Sequence, residues 1–532
     1  MNTHTSILRR LVIGFGILFP FIMSVVVICI ASFVGWEKVG WNGYDNNHFQ
    51  LPLFNHISIY IVCLVFLYCL IITAVCLYER ISVKHKWFIS SVIVFILSFF
   101  IRISCLYMLY KRSATIIPFS DFEQVWLLAQ GDLSNLPYKS LFASWMNFAL
   151  VEKLFIKVFG VRYMLFLGCN CFISSLSSPL IYGISKLAFD DYSNSERISL
   201  IAAIIYALYI PSALFACFSA PDVYIVPLYL FGVLLLLYSR KRMLANSNCK
   251  ALLLVALSGA FLGLSSALKS FGIIVIIAYL ICSALDDYSN IKVKRIGVVL
   301  CSIALLICSY SFAKNIVLKI TERAYDVELD YSTSLPHYLL VGLNTEGEGQ
   351  IHIGSQSRSY YQNILINGMS EEDARAATYD LLIDDWKNEE NVLNTLVLPK
   401  LVWAWQDDSR PIYYAYWMNN DSNMEATLKD DIFDSEASLL QAAYLIIMAT
   451  GAVGSIVILR KYSNNTEIML TQLIITGFFF ITLISEAQSR YKYVIIPLVC
   501  IMSSIGIYRL TELLSISWNS IKSRKLQDSS GG

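Results

Sequence analysis

Apolar runs of membrane length recur along this sequence, and they constrain its fold more than any other feature. Roughly 20 helical residues cross the 30 Å or so of hydrocarbon in a bilayer. Runs near that length fall at 11–34, 57–78, 88–110, 163–187, 198–217, 222–238, 251–268, 271–285, 296–314, 439–459, 467–484 and 493–510. Composition agrees, with 57% of residues apolar and 15% charged, where a soluble domain carries about a quarter charged. The expected fold is an all-α polytopic membrane protein with about 12 transmembrane helices. The first run follows Arg9 and Arg10 and lacks a small-residue cleavage site, so it reads as an anchor.

The same runs divide the chain. Residues 1–86 read as an N-terminal transmembrane hairpin and 87–314 as a transmembrane core with a first outer loop at 111–162. Residues 315–438 read as an extracytoplasmic module, and 439–532 as the last membrane helices and a tail. Lys and Arg in short loops set orientation. Arg80, Lys84, Lys86, Arg240, Lys241, Arg242, Lys292, Lys294, Arg295, Arg460 and Lys461 fall on one side with the tail, which makes both termini cytoplasmic. Lys111, Arg112, Lys139 and Lys153 break that pattern on the outer side. A plasma membrane, with its bilayer as a partner, is the expected location. A net charge of +1 gives no overall field for nucleic acid. Most of the 13 cysteines, such as Cys63, Cys69 and Cys171, lie inside apolar runs and read as small core residues.

The outer module is acidic, and most of its acids read as a solvated face. Ser370 and Asp373 resemble a capping box opening a helix to about Asn391, with a second helix through Leu396 to Trp405. Trp403, Tyr413, Tyr414, Tyr416 and Trp417 suit a membrane-interface belt or stacking on sugar rings. Trp403, Tyr413 and Trp417 are the candidates for acceptor or sugar binding.

Charged residues at the predicted outer helix ends form a short set. Asp121 and Glu123 follow the third run in PFSDFEQVWLLAQGD, and Asp222 follows the fifth in SAPDVY. Lys269 lies between the seventh and eighth, with Glu486 and Arg490 before the last. Arg102 sits about two turns inside the third run. Each has an ordinary alternative: the acids as helix caps, Lys269 as a snorkelling chain, Arg102 in a burial pair, Arg490 as an interface anchor. Charge at membrane depth is costly, which favours a working role. A carboxylate can take a proton from a hydroxyl while cations hold a phosphate leaving group. No cytoplasmic stretch is long enough to bind a nucleotide donor.

In order, these motifs resemble the GT-C glycosyltransferases, among them the protein O-mannosyltransferases and the lipid A aminoarabinose transferase. Those motifs are Phe100-Ile101-Arg102-Ile103, the DxE acids, LFASWMNFALVEKLFIKVFGVRYMLFLGCN, SAPDVYIVPLYLF and EAQSRYKYVIIPL. The likeness runs from about Trp87 to Arg509 and makes the expected architecture GT-C-like. It implies inverting transfer of a sugar from a polyprenyl-phosphate donor to a surface glycan, lipid or protein acceptor. It further implies Asp121 or Glu123 as base, Asp222 as supporting acid, and Arg490, Lys269 and Arg102 as contacts to the donor phosphate. Some members use a divalent metal and others none, and DxE fits either. Two alternatives stand beside it: a transporter or flippase of lipid-linked saccharides, and an O-antigen-polymerase-like enzyme. A transporter would show repeated halves with charges near the midplane; a polymerase would lean on arginine-rich outer loops.

Overall fold

In the computed structural model the described residues are 3–33, 53–80, 84–113, 116–245, 247–285, 293–350, 356–406, 408, 411–412, 414, 431–463 and 465–530. They are helical throughout, with no strand among them. The first long helices are α1 (Thr3–Phe33), α2 (Leu53–Arg80) and α3 (Lys86–Ser113). Three short ones follow: α4 (Ser120–Gln130), α5 (Leu136–Lys139) and α6 (Ala143–Phe159). Helices α7 (Tyr163–Ser175) and α8 (Ser177–Ala188) run on as one rod, followed by α9 (Ser195–Ala207) and α10 (Ile210–Phe215). The bundle continues with α11 (Asp222–Leu244), α12 (Asn248–Leu268), α13 (Gly272–Leu285) and α14 (Val293–Tyr325).

Beyond it lie α15 (Leu335–Leu343), α16 (Ser359–Leu365), α17 (Glu371–Asn388) and α18 (Leu398–Trp405). The chain returns through α19 (Asp431–Val457), α20 (Thr466–Ile484) and α21 (Ile496–Ser530).

Nine helices among the described residues are long and apolar enough to cross a membrane. The three other predicted runs are also helical but fall outside those nine over their described residues. Two are the apolar helices Gly14–Ile30 and Gly272–Leu285. The third, expected at 198–217, is broken into α9 and α10. Tyr209 is extended there, and Pro211 starts the new helix, where its missing N–H is no loss.

Small residues let the long helices touch. A Cβ on Gly454 of α19 would lie 1.9 Å from the Met502 carbonyl oxygen of α21, and one on Gly506 would lie 1.9 Å from that of Thr450. A glycine lets its helix approach the facing backbone this closely, a common way of packing helices in lipid. Exposed apolar side chains such as Val62, Phe66, Phe100 and Phe312 face outward from the bundle, as a bilayer solvent requires.

The outer module follows its sequence signals. Ser370 caps α17 by accepting the Asp373 amide at 3.1 Å. The second predicted helix begins with a π-helical turn, Leu393–Val397, before α18. Lys400 of α18 then ties the module to the bundle, donating to the carbonyls of Gly342, Leu483 and Ser485.

Candidate functional site

At the end of the bundle where the outer helices sit, a chamber of about 570 Å³ opens. Its walls come from the α4–α6 segment, the starts of α11 and α13, helices α15 and α20, and the Ser485–Tyr491 turn. Asp121, Asp222, Lys269 and Arg490, far apart in sequence, all line it.

Asp121 is placed by the local chain. Phe119 is extended and Ser120 takes a left-handed φ of 52°, a backbone that costs energy in a residue with a side chain and is often kept at working sites. Phe122, Val125, Trp126, Leu128 and Ala129 bury one face of α4, which anchors the helix and leaves its first turn on the chamber side. The Asp121 carboxylate does not cap its helix. Its Oδ1 accepts from Lys139 Nζ at 2.7 Å, while Oδ2 has no partner among the described residues. Lys139 is 1% exposed, with its ammonium over the rings of Tyr138 and Trp145 at 5.0 and 5.1 Å.

Glu123 does not share the chamber. It is exposed on the far side of α4, because residues two apart on a helix point about 200° away from each other. The DxE pair therefore does not act as a unit. Among the described residues no three His, Cys, Asp or Glu side chains converge to hold a metal ion.

On the opposite wall Asp222, 4% exposed, accepts from Lys269 Nζ at 3.1 Å rather than capping α11. Lys269 sits in the extended break between α12 and α13, 3.6 Å from the centre of the Tyr491 ring. Burial pushes its pKa down to about 8, against an upward pull from Asp222. Arg490 lies beside Tyr491, its guanidinium 5.2 Å from the ring centre, and its Nε is buried without a hydrogen-bond partner among the described residues. Glu486 completes this wall, accepting from the Tyr491 hydroxyl at 2.7 Å and from Gln488. A carboxylate with one free oxygen thus shares a cavity with two cations and two other acids.

Arg102 is not part of it. Its guanidinium is fully buried between α3 and the α7–α8 rod, donating to Ser174 Oγ at 2.9 Å and to Ser98 Oγ at 2.5 Å. About three turns below the end of α3, the side chain does not line the chamber; serines and the Tyr206 ring surround its guanidinium, whose Nη2 has no hydrogen-bond partner among the described residues. Trp403 is also elsewhere: its Nε1 donates to Glu348 at 3.1 Å, and it does not line the chamber. Tyr413 and Trp417 lie outside the described residues. Tyr414, another described residue of that cluster, packs into a core of Phe119, Phe122 and Phe218.

Among the chamber residues unassigned from sequence are Lys139, His337, Arg358 and Tyr361. Lys139 did leave a trace, as a basic residue on the side where basic residues are scarce. His337, Arg358 and Tyr361 come from the outer module, and nothing in their local sequence separates them from surface positions. No protein-family model matches the chain, and no curated protein matches it significantly.

Proposed function

We propose that this multi-pass helical membrane protein is a GT-C-like glycosyltransferase with about 12 crossings, both termini cytoplasmic and the chamber extracytoplasmic. It would move a sugar from a polyprenyl-phosphate donor to a surface glycan, lipid or protein. One arrangement carries the reading: Asp121, Asp222, Lys269 and Arg490 meet in a single chamber at one end of an apolar helical bundle. Apolar residues of the membrane-length helix α20, Phe478 and Ile481 among them, also line it, and the donor's lipid tail would lie along them.

In this mechanism the acceptor hydroxyl attacks the anomeric carbon as its proton passes to Asp121 Oδ2. The new carbon–oxygen bond forms as the bond to phosphate breaks, which inverts the centre. The lipid phosphate leaves as an anion held by Lys269 and Arg490. Lys139, bonded to Oδ1, orients the base, and Asp222 holds Lys269 in place. General-base catalysis contributes about 10²–10⁴-fold.

Asp121→Asn is therefore expected to lower turnover of a polyprenyl-phosphate sugar by about that factor. Membrane insertion and thermal unfolding should stay near wild type. Full turnover in the purified variant would remove Asp121 from the mechanism.

A further inference from the structure

A third wall of the chamber is aromatic. The His337 ring centre lies 5.4 Å from that of Phe142 and 5.3 Å from that of Tyr361, and Tyr361 lies 5.3 Å from Tyr138. These rings come from three separate stretches, the α5 segment, α15 and α16, and all line the cavity. The wall adjoins the base, because Lys139, which holds Asp121, lies over the Tyr138 ring.

His337 is 4% exposed, and its Nδ1 is buried with no hydrogen-bond partner among the described residues. Tyr138 and Tyr361, both half-buried, line the same cavity. Buried polar atoms are nearly always paired, so an unpaired one beside a cavity points to a ligand that pairs it. Burial pushes the His337 imidazole down to about 4, against a smaller upward pull from Glu486, so the ring is neutral at pH 7. A neutral imidazole offers one donor and one acceptor, a match for hydroxyl groups. Arg358 borders the same wall.

We propose that this wall is a pyranose subsite that holds the acceptor. A sugar ring stacks on Tyr138 and Tyr361, exchanges hydrogen bonds with His337, and turns its reacting hydroxyl toward Asp121. The proposal builds on the transferase reading, but its test reads binding and not turnover. The full chain in lipid nanodiscs is mixed with methyl pyranosides of gluco, galacto and manno configuration, and saturation transfer to the sugar protons is recorded by NMR. At least one pyranoside is expected to receive saturation. His337→Ala and Tyr361→Leu should each weaken it about tenfold, roughly the loss of one hydrogen bond or one stacking contact. His337→Gln, which keeps a neutral donor and acceptor, should retain more affinity than His337→Ala. Trp403→Leu, outside the chamber, should leave binding unchanged.

The subsite is rejected if no pyranoside receives saturation, or if the signal survives both His337→Ala and Tyr361→Leu in protein whose thermal unfolding matches wild type. Pyranoside binding at this wall without turnover of any polyprenyl-phosphate sugar would reject the transferase reading while leaving the subsite standing.

Discussion

Lys400 tests how the outer helices are fastened to the chamber. Its side chain is 1% exposed, and its Nζ donates to Leu483 O at 2.6 Å, Ser485 O at 2.8 Å and the Gly342 carbonyl. Burial pushes its pKa down from 10.5 to about 7, against an upward pull from Glu486. The unfolded chain keeps the ordinary lysine value. Between those two values the unfolded state therefore binds more protons than the folded one, and stability rises with pH. Below about pH 7 both states are charged and this contribution is flat.

Each fully developed pH unit is worth about 1.4 kcal/mol, so the gain from pH 6 to pH 9 is on the order of 3 kcal/mol. Lys400→Met removes the titrating group. It also strips three carbonyls of a donor, which shifts the whole curve but not its slope. The assay is thermal unfolding of both proteins in one detergent at pH 6, 7, 8 and 9. Wild type should gain stability over the variant across that window. Lys269, lowered to about 8, titrates in both proteins and cancels in the difference. Parallel curves would refute the argument that burial dominates the Lys400 environment.

Three further outcomes follow from the same structure. Lys492→Met leaves Asp408, 0% exposed, without the cation that sits 3.2 Å away; losing one partner of a buried pair should cost about 3–5 kcal/mol, read as a fall in unfolding temperature. Gly342→Ala places a Cβ 2.1 Å from the Ile484 carbonyl oxygen, and since neither backbone can yield cheaply, a loss of at least about 1–3 kcal/mol is expected in the same assay. Arg490→Ala should raise the KM for a lipid-phosphate donor more than that for the acceptor, and equal losses for both would argue against a phosphate role.

Comparing sequence with structure shows where one-dimensional reasoning stops. The capping box at Ser370 was legible because a cap is a contact between residues three apart. Asp121 and Asp222 were legible as acids at helix ends, yet their ordinary explanation as caps is not what they do. Each instead pairs with a lysine, Lys139 or Lys269, at a distance no local rule encodes. Glu123 and Arg102 went the other way. A two-residue spacing looks like a pair on paper, but α4 turns the two carboxylates apart. A charge inside an apolar run looks like a site, but Arg102 is held away from the chamber by hydrogen bonds to the serines of α3 and α7.

What the amino-acid order alone determined is the helical membrane character and the helix ends near which these charges stand. Both depend on run length and on the alternation of helix direction, which are properties of consecutive residues. Which charges meet was decided only by tertiary structure. Asp121, Asp222, Lys269 and Arg490 become neighbours because the ends of several helices converge on one cavity. The aromatic wall exists because α15 and α16 fold back over it, and the energetics of that closure lie in contacts between segments far apart in the chain.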